Sequence, residues 1–157
     1  MRLKLNPGAA ESKLRLVGLQ LALSGLRMGE EYRRTIARDL DSVVVVLAVI
    51  AIALERALRT RADITLYDVK NAIAINDVTP CNVASIAAAT GLNRETARRK
   101  VNNLVKRGIL RKLAGGAIVF TDEMRSSPAL ADMLCRQVNE VARLTNILLQ
   151  HDIIVPG

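Results

Sequence analysis

Three residues, Gly91-Leu92-Asn93, stand between two segments that both read as helix. That short link restricts the fold more than any other feature of the chain. Upstream of it, Asn82 is a ready N-cap for the apolar run VASIAAAT, Val83 to Thr90. Gly91 can end that helix in a left-handed conformation, which costs other L-residues about 1–2 kcal/mol. Leu92 can tuck between the two helices, and Asn93 can cap the second. So short a turn crosses the helices steeply and projects the second one outward.

The second helix is basic. The stretch GLNRETARRKVNNLVKRGIL carries Arg94, Arg98, Arg99, Lys100 and Lys106, with Arg107 behind them. At about 100° per residue, Ala97, Val101 and Leu104 share one side and Val105 flanks them. Glu95, Thr96, Arg99, Asn102, Asn103 and Lys106 fall on or near the opposite side, with Arg98 at its margin. Gly108 closes the helix. The period then changes in ILRKLAGGAIVFT, where Ile109–Leu113 and Ala117–Thr121 are β-prone around Gly115-Gly116. A shorter helix over about residues 65–75, with a Thr65/Asp68 cap, and a loop at Asn76-Asp77 and Thr79-Pro80 precede Asn82. Helix, loop, short helix, tight turn, basic helix and hairpin form the order of a winged helix-turn-helix. The expected fold class is mainly α with a small β-hairpin wing.

Flanking helices are expected on both sides. Residues 1–28 read as an N-terminal arm, flexible or loosely docked over Met1 to Ser12, followed by a Leu-rich helix that Gly18 and Gly25 interrupt. Residues 29–60 read as one long helix, opened by Glu30-Glu31 and holding the run SVVVVLAVIAIAL. That run is too short to cross a bilayer: about 13 residues at about 1.5 Å reach about 20 Å, against about 30 Å of hydrocarbon. A small domain rarely buries so long an aliphatic helix alone, so a partner chain is expected to cover it. Residues 62–125 form the winged domain. Residues 127–151 form a second dimerisation helix, started by Ser127-Pro128 and striped with Leu134, Val138, Val141, Leu144 and Leu148.

The segment VASIAAATGLNRETARRKVNNLVKRGILRKLAGGAIVFT resembles the winged-helix domain of bacterial transcriptional regulators, with the multiple-antibiotic-resistance regulator (MarR) group as the closest general type. The likeness covers about residues 65–121, and SIAAATGLNRETARRKVNNLVKRGIL is its strongest part. It implies that Asn93, Arg94, Thr96, Arg98 and Arg99 face DNA, that the hairpin flanks the DNA backbone or minor groove, and that N- and C-terminal helices build a dimer platform. The chain departs from that group at the wing tip, Ala114-Gly115-Gly116, which lacks the acidic-x-Arg signature. Arg111 and Lys112 in the hairpin can still reach phosphate.

Charge agrees with such a partner. Lys and Arg number 23 against 15 Asp and Glu, a formal net charge of +8. Arg pairs with guanine O6/N7 and Asn with adenine N6/N7, so Asn102, Asn103 and Lys106 join the candidate DNA-binding set. The expected function is a cytoplasmic, sequence-specific regulator that binds double-stranded DNA as a homodimer. An effector small molecule has no signature in the residues, and no cofactor, metal or membrane partner is expected. The alternative is a winged-helix protein-docking module. An enzyme is disfavoured: there is no glycine-rich phosphate loop, no HExxH, and His151 is the single histidine. Cys81 and Cys135 form no CxxC pair. Cys81 sits beside a helix N-terminus, where a thiolate would gain stability, although a small half-buried structural cysteine is the simpler reading.

Overall fold

The computed structural model describes residues 2–60 and 81–157. The expected helix over 65–75 and the loop at 76–80 lie outside the described residues. The chain divides into two compact units, Met1–Thr35 with Ala131–Gly157, and Ile36–Leu130.

The unit Ile36–Leu130 is built on α3 (Leu40–Thr60), α4 (Val83–Thr90), α5 (Arg94–Lys106), the hairpin β2 (Leu110–Lys112) and β3 (Ile118–Phe120), and a short α6 (Asp122–Arg125). α3 packs on α4, α5 and β3, and α4 packs on α5. Val43, Val45, Val46 and Val49 of α3, Ile86 of α4, Ala97, Val101 and Leu104 of α5, and Leu110 and Ile118 of the hairpin are all buried. Aliphatic burial of this kind contributes about 1.5–3 kcal/mol per large side chain. The core contains no buried aromatic ring among the described residues.

Local chemistry explains the element ends. Asn82 and Ser85 form a reciprocal capping box: Ser85 N donates to Asn82 Oδ1 at 2.9 Å, and Asn82 N donates to Ser85 Oγ at 3.0 Å. Gly91 ends α4 with φ 71°, and its N–H donates to Ala87 O. Asn93 caps α5 by accepting from Glu95 N at 2.8 Å. Leu92 is half-buried. Gly108 (φ 72°) turns the chain out of α5. β2 and β3 pair antiparallel, with Leu110 opposite Phe120 and Lys112 opposite Ile118. Cys81 adds a single bridge on the far edge of β3, where Ile118 N donates to Cys81 O at 2.7 Å.

The helix expected over 29–60 is two helices. α2 runs Leu14–Thr35 and α3 starts at Leu40. Between them Ile36 and Ala37 are buried, and Asp39 accepts from Ser42 N at 2.9 Å as an N-cap. Asp39 reads in sequence as the polar flank of an apolar run, yet its carboxylate starts the next helix. From Val43 to Val49 the apolar face of α3 is buried, with α4, α5 and β3 packed on the helix. The break expected between residues 28 and 29 does not exist either: α2 passes through Gly18, Gly25 and Gly29 without interruption. Each glycine costs a helix about 1 kcal/mol, but none removes an N–H as proline does.

In the other unit, α2 faces α7 (Pro128–Gln150) across a polar seam. Ser24 Oγ donates to Glu140 Oε1 at 2.5 Å, Arg136 Nε donates to Glu31 Oε2 at 2.7 Å, and Lys13 Nζ donates to His151 O at 2.8 Å. The partners rise along α2 as they fall along α7, so the helices are antiparallel. Hydrogen bonds from Arg143, Ser24 and Arg27 outweigh desolvation and bring the Glu140 carboxyl down to about 2. Regular elements stand where a flexible or loosely docked arm is expected. β1 (Leu3–Leu5) pairs antiparallel with β4 (Ile154–Pro156), and α1 (Pro7–Ser12) follows with Asn6 as N-cap and Pro7 at its first position. The partner strand comes from the opposite end of the chain, where a local reading has no access to it.

Two outcomes follow. Gly91→Val is expected to lower stability by about 1–2 kcal/mol, because a β-branched side chain resists the left-handed region. The cost is conformational, since a Cβ at Gly91 meets nothing within 4 Å. Gly91→Asn should cost clearly less; equal denaturant midpoints for both variants and the parent would overturn the assignment. The second outcome concerns Asp39, which desolvation pushes up but hydrogen bonds from Lys100 and Ser42 bring down to about 2 from 3.8. A depressed carboxyl pKa stabilises the fold fully above the unfolded value, and that stability drains as pH falls from about 4 toward about 2. Asp39→Ala should therefore cost about 1 kcal/mol at neutral pH through the lost cap. It should also flatten the acid limb of melting temperature against pH in that window.

Candidate nucleic-acid interface

α5 has one side fastened and one side free. Ala97, Val101 and Leu104 are 0% exposed, and they set the helix's rotation. Glu95, Arg99, Asn102 and Lys106, spaced four, three and four apart, lie across from them on the outermost ridge. Arg98 borders that ridge on one flank, with Arg94 further round toward the buried side, and Asn103 and Thr96 border it on the other.

The basic residues of this stretch divide by partner. Lys100 turns back, placing Nζ 2.5 Å from Asp39 Oδ1 and 3.7 Å from Asp41 Oδ2. Arg107 donates to Ile36 O at 3.0 Å. These two cations hold α5 to the start of α3. Arg98 grips Glu95 through Nε at 2.7 Å and a terminal nitrogen at 2.5 Å. That contact holds the exposed Glu95 carboxyl below its usual range and lifts Arg98 above its own. Arg94, Arg99 and Lys106 have no hydrogen-bond or ion-pair partner among the described residues. Those three are exposed to solvent, with Arg99 also within the field of the Glu95 carboxylate.

The wing stands next to this ridge. Lys112 Nζ donates to Asn102 Oδ1 at 2.7 Å, which ties β2 to α5. Arg111 lies 3.7 Å from Asp122 Oδ2, and its Nε is buried without a partner. The tip turns through Gly115 and Gly116, both at φ 82°, and Leu113 N donates to Ala117 O at 2.7 Å. Asn93 spends its side-chain oxygen on the cap, leaving its amide nitrogen for other contacts. The structure thus brings Arg98, Arg99, Asn102, Lys106 and Lys112 onto one surface, and Arg94 is exposed at the first position of the helix, turned away from the centre of that surface. Thr96 lies at its edge, half-buried, and Arg111 is partly engaged by α6.

Sequence reasoning passed over Glu95 as a site residue. The signal was available: an acid three residues before an arginine on one helix face pairs with it. The roles of Asp122 and of the Cys81 bridge had no such signal, because both depend on segments folding back on each other.

Other chemistry is thinly represented. Cys81 is fully buried and desolvation pushes its thiol up, which works against a thiolate at the α4 N-terminus. Among the described residues no three His, Cys, Asp or Glu side chains cluster as metal ligands, and no helix is long and apolar enough to cross a membrane. A cleft of about 210 Å³ beside Met28 and Gln137 is lined by ions that neutralise one another, Glu31 with Arg136 and Glu140 with Arg27.

Comparison with known proteins agrees with this geometry. Residues 73–123 match the DeoR-like helix-turn-helix domain, a span that takes in α4, α5 and the wing. No curated protein and no solved structure matches the chain. The match lends nothing to the likeness with the MarR group. A DeoR-type helix-turn-helix domain supports a winged helix-turn-helix transcription regulator whose partner is double-stranded DNA.

Proposed function

We propose that the chain is a sequence-specific transcription regulator that binds duplex DNA as a homodimer, with α5 in the major groove. The observation that carries this reading is the exposed side of α5: among the described residues Arg94, Arg99 and Lys106 have no hydrogen-bond or ion-pair partner, on a helix whose Ala97, Val101 and Leu104 are fully buried. A fastened helix presents those charges at fixed spacing, as phosphate binding requires. Arg94, Arg99 and Lys106 are assigned to phosphate. Asn93, Thr96, Arg98, Asn102 and Asn103 are assigned to base edges or the groove walls, and Arg111 and Lys112 to the backbone beside the wing.

The homodimer rests on a separate feature. Leu134, Val138 and Val141 of α7 are 42%, 58% and 52% exposed and share one face at spacings of four and three. Leu14, Leu19, Leu21 and Leu26 of α2 are exposed as well. Aliphatic stripes of this kind are unfavourable in water and mark association surfaces. A two-fold pair would set two α5 helices about one DNA turn apart, roughly 34 Å, and the operator would be an inverted repeat. The MarR likeness stays with this proposal only as a guide to dimer architecture.

Two measurements test the reading. Binding of non-operator duplex should weaken with salt, and Arg99→Ala or Lys106→Ala should each make the slope of log K against log salt shallower by about 0.9. A triple Arg94/Arg99/Lys106→Ala variant that folds and binds duplex as tightly as the parent would overturn the assignment of this face. Light scattering at micromolar concentration should give a dimer for the parent and a folded monomer for Val138→Asp, since an exposed position accepts a charge that an interface rejects. A monomeric parent would exclude the homodimer, and a dimeric Val138→Asp would move it off this stripe.

A further inference from the structure

Glu95 is an anomaly on the surface just described. It is the second residue of α5, and it lies on the outermost ridge between the cations rather than at the edge. A carboxylate there repels phosphate, so it weakens the sequence-independent part of DNA affinity. It is well exposed, with 67% of its side chain accessible. Its backbone is fixed, because Glu95 N donates to the Asn93 cap at 2.8 Å. The residues that open a recognition helix are the ones that reach base edges. A carboxylate only accepts hydrogen bonds, and of the two amines in the major groove the N4 amine of cytosine suits it better, since adenine N6 stands beside the N7 acceptor that repels an anion.

The second part of the anomaly is what Glu95 does to Arg98. The fork of two hydrogen bonds, at 2.7 and 2.5 Å, holds that guanidinium against the helix. An arginine so held is withdrawn from phosphate and carries its remaining N–H groups alongside the acid. We propose that Glu95 is the specificity-determining residue of α5: its carboxylate accepts from a cytosine N4 amine in each half-site and keeps Arg98 off the phosphate backbone. This inference rests on the DNA-binding reading above. The ordinary alternative is that Glu95 only steadies the positive end of the helix and pairs with Arg98 in solvent.

Selection of bound duplexes from a random pool separates the two. The parent should enrich one C·G pair at a fixed position in each half-site. Glu95→Gln keeps the size of the side chain and turns half of the acceptor into a donor, and it should lower that preference about five- to a hundredfold. On non-operator duplex the same variant should bind more tightly, with a salt slope steeper by about 0.9 as Arg98 reaches phosphate. Glu95→Gln/Arg98→Ala should lose that gain. Retention of the C·G preference by folded Glu95→Gln overturns the proposal, whatever happens to its melting temperature or its non-operator affinity. A parent that binds no duplex at all would instead sink the DNA-binding reading, and this inference with it.

Discussion

The winged unit depends on a backbone constraint at Gly91. With φ at 71°, the chain leaves α4, spends one half-buried residue on Leu92, and starts α5 at Asn93. That turn decides the angle between the two helices. The angle in turn decides which side of α5 meets Ile86 and the valines of α3. Once Ala97, Val101 and Leu104 are buried, the opposite ridge has to face solvent, because a helix is rigid about its own axis. The position of every charge on α5 follows from a residue that carries none.

Charge is then sorted by neighbours. Six cations occupy one stretch of twenty residues from Gly91 to Leu110, and a uniform basic surface would bind any polyanion. The fold removes two of them: Lys100 and Arg107 are turned toward Asp39 and Ile36, where they hold α5 to the first residues of its unit. It restrains a third through Glu95. Lys112 is drawn to Asn102, and Arg111 toward Asp122. Among the described residues, Arg94, Arg99 and Lys106 are left without a hydrogen-bond or ion-pair partner, Arg99 and Lys106 on the outer ridge and Arg94 at the start of the helix.

The two units use different physics. The described residues of Ile36–Leu130 bury an aliphatic core. The other unit joins α2 to α7 through Ser24, Glu140, Arg143, Glu31 and Arg136, and leaves leucines and valines of both helices exposed. A polar seam gives direction and register, since each hydrogen bond has one geometry, but it contributes modestly to stability when it lies near solvent. The two-stranded β1–β4 pairing closes that unit by joining the chain's ends.

Much of the winged unit was legible in the residues because its signals are local. Asn82, Gly91, Asn93, Gly108 and Ser127-Pro128 act within one helical turn, and the buried triplet of α5 follows from a period of 3.6 residues. The gly-gly hairpin is likewise a short-range matter of permitted φ. What the tertiary structure alone decided is longer in reach. The break at Ile36–Asp39 came from burial of two residues and from a carboxylate that Lys100 engages 61 residues away. The strand Leu3–Leu5 exists because Ile154–Pro156 arrives beside it. The state of each cation on α5 depends on which acid or carbonyl the fold delivers to it. Propensity and periodicity are sums over neighbours in sequence, whereas ion pairs, strand partners and buried breaks are set by neighbours in space.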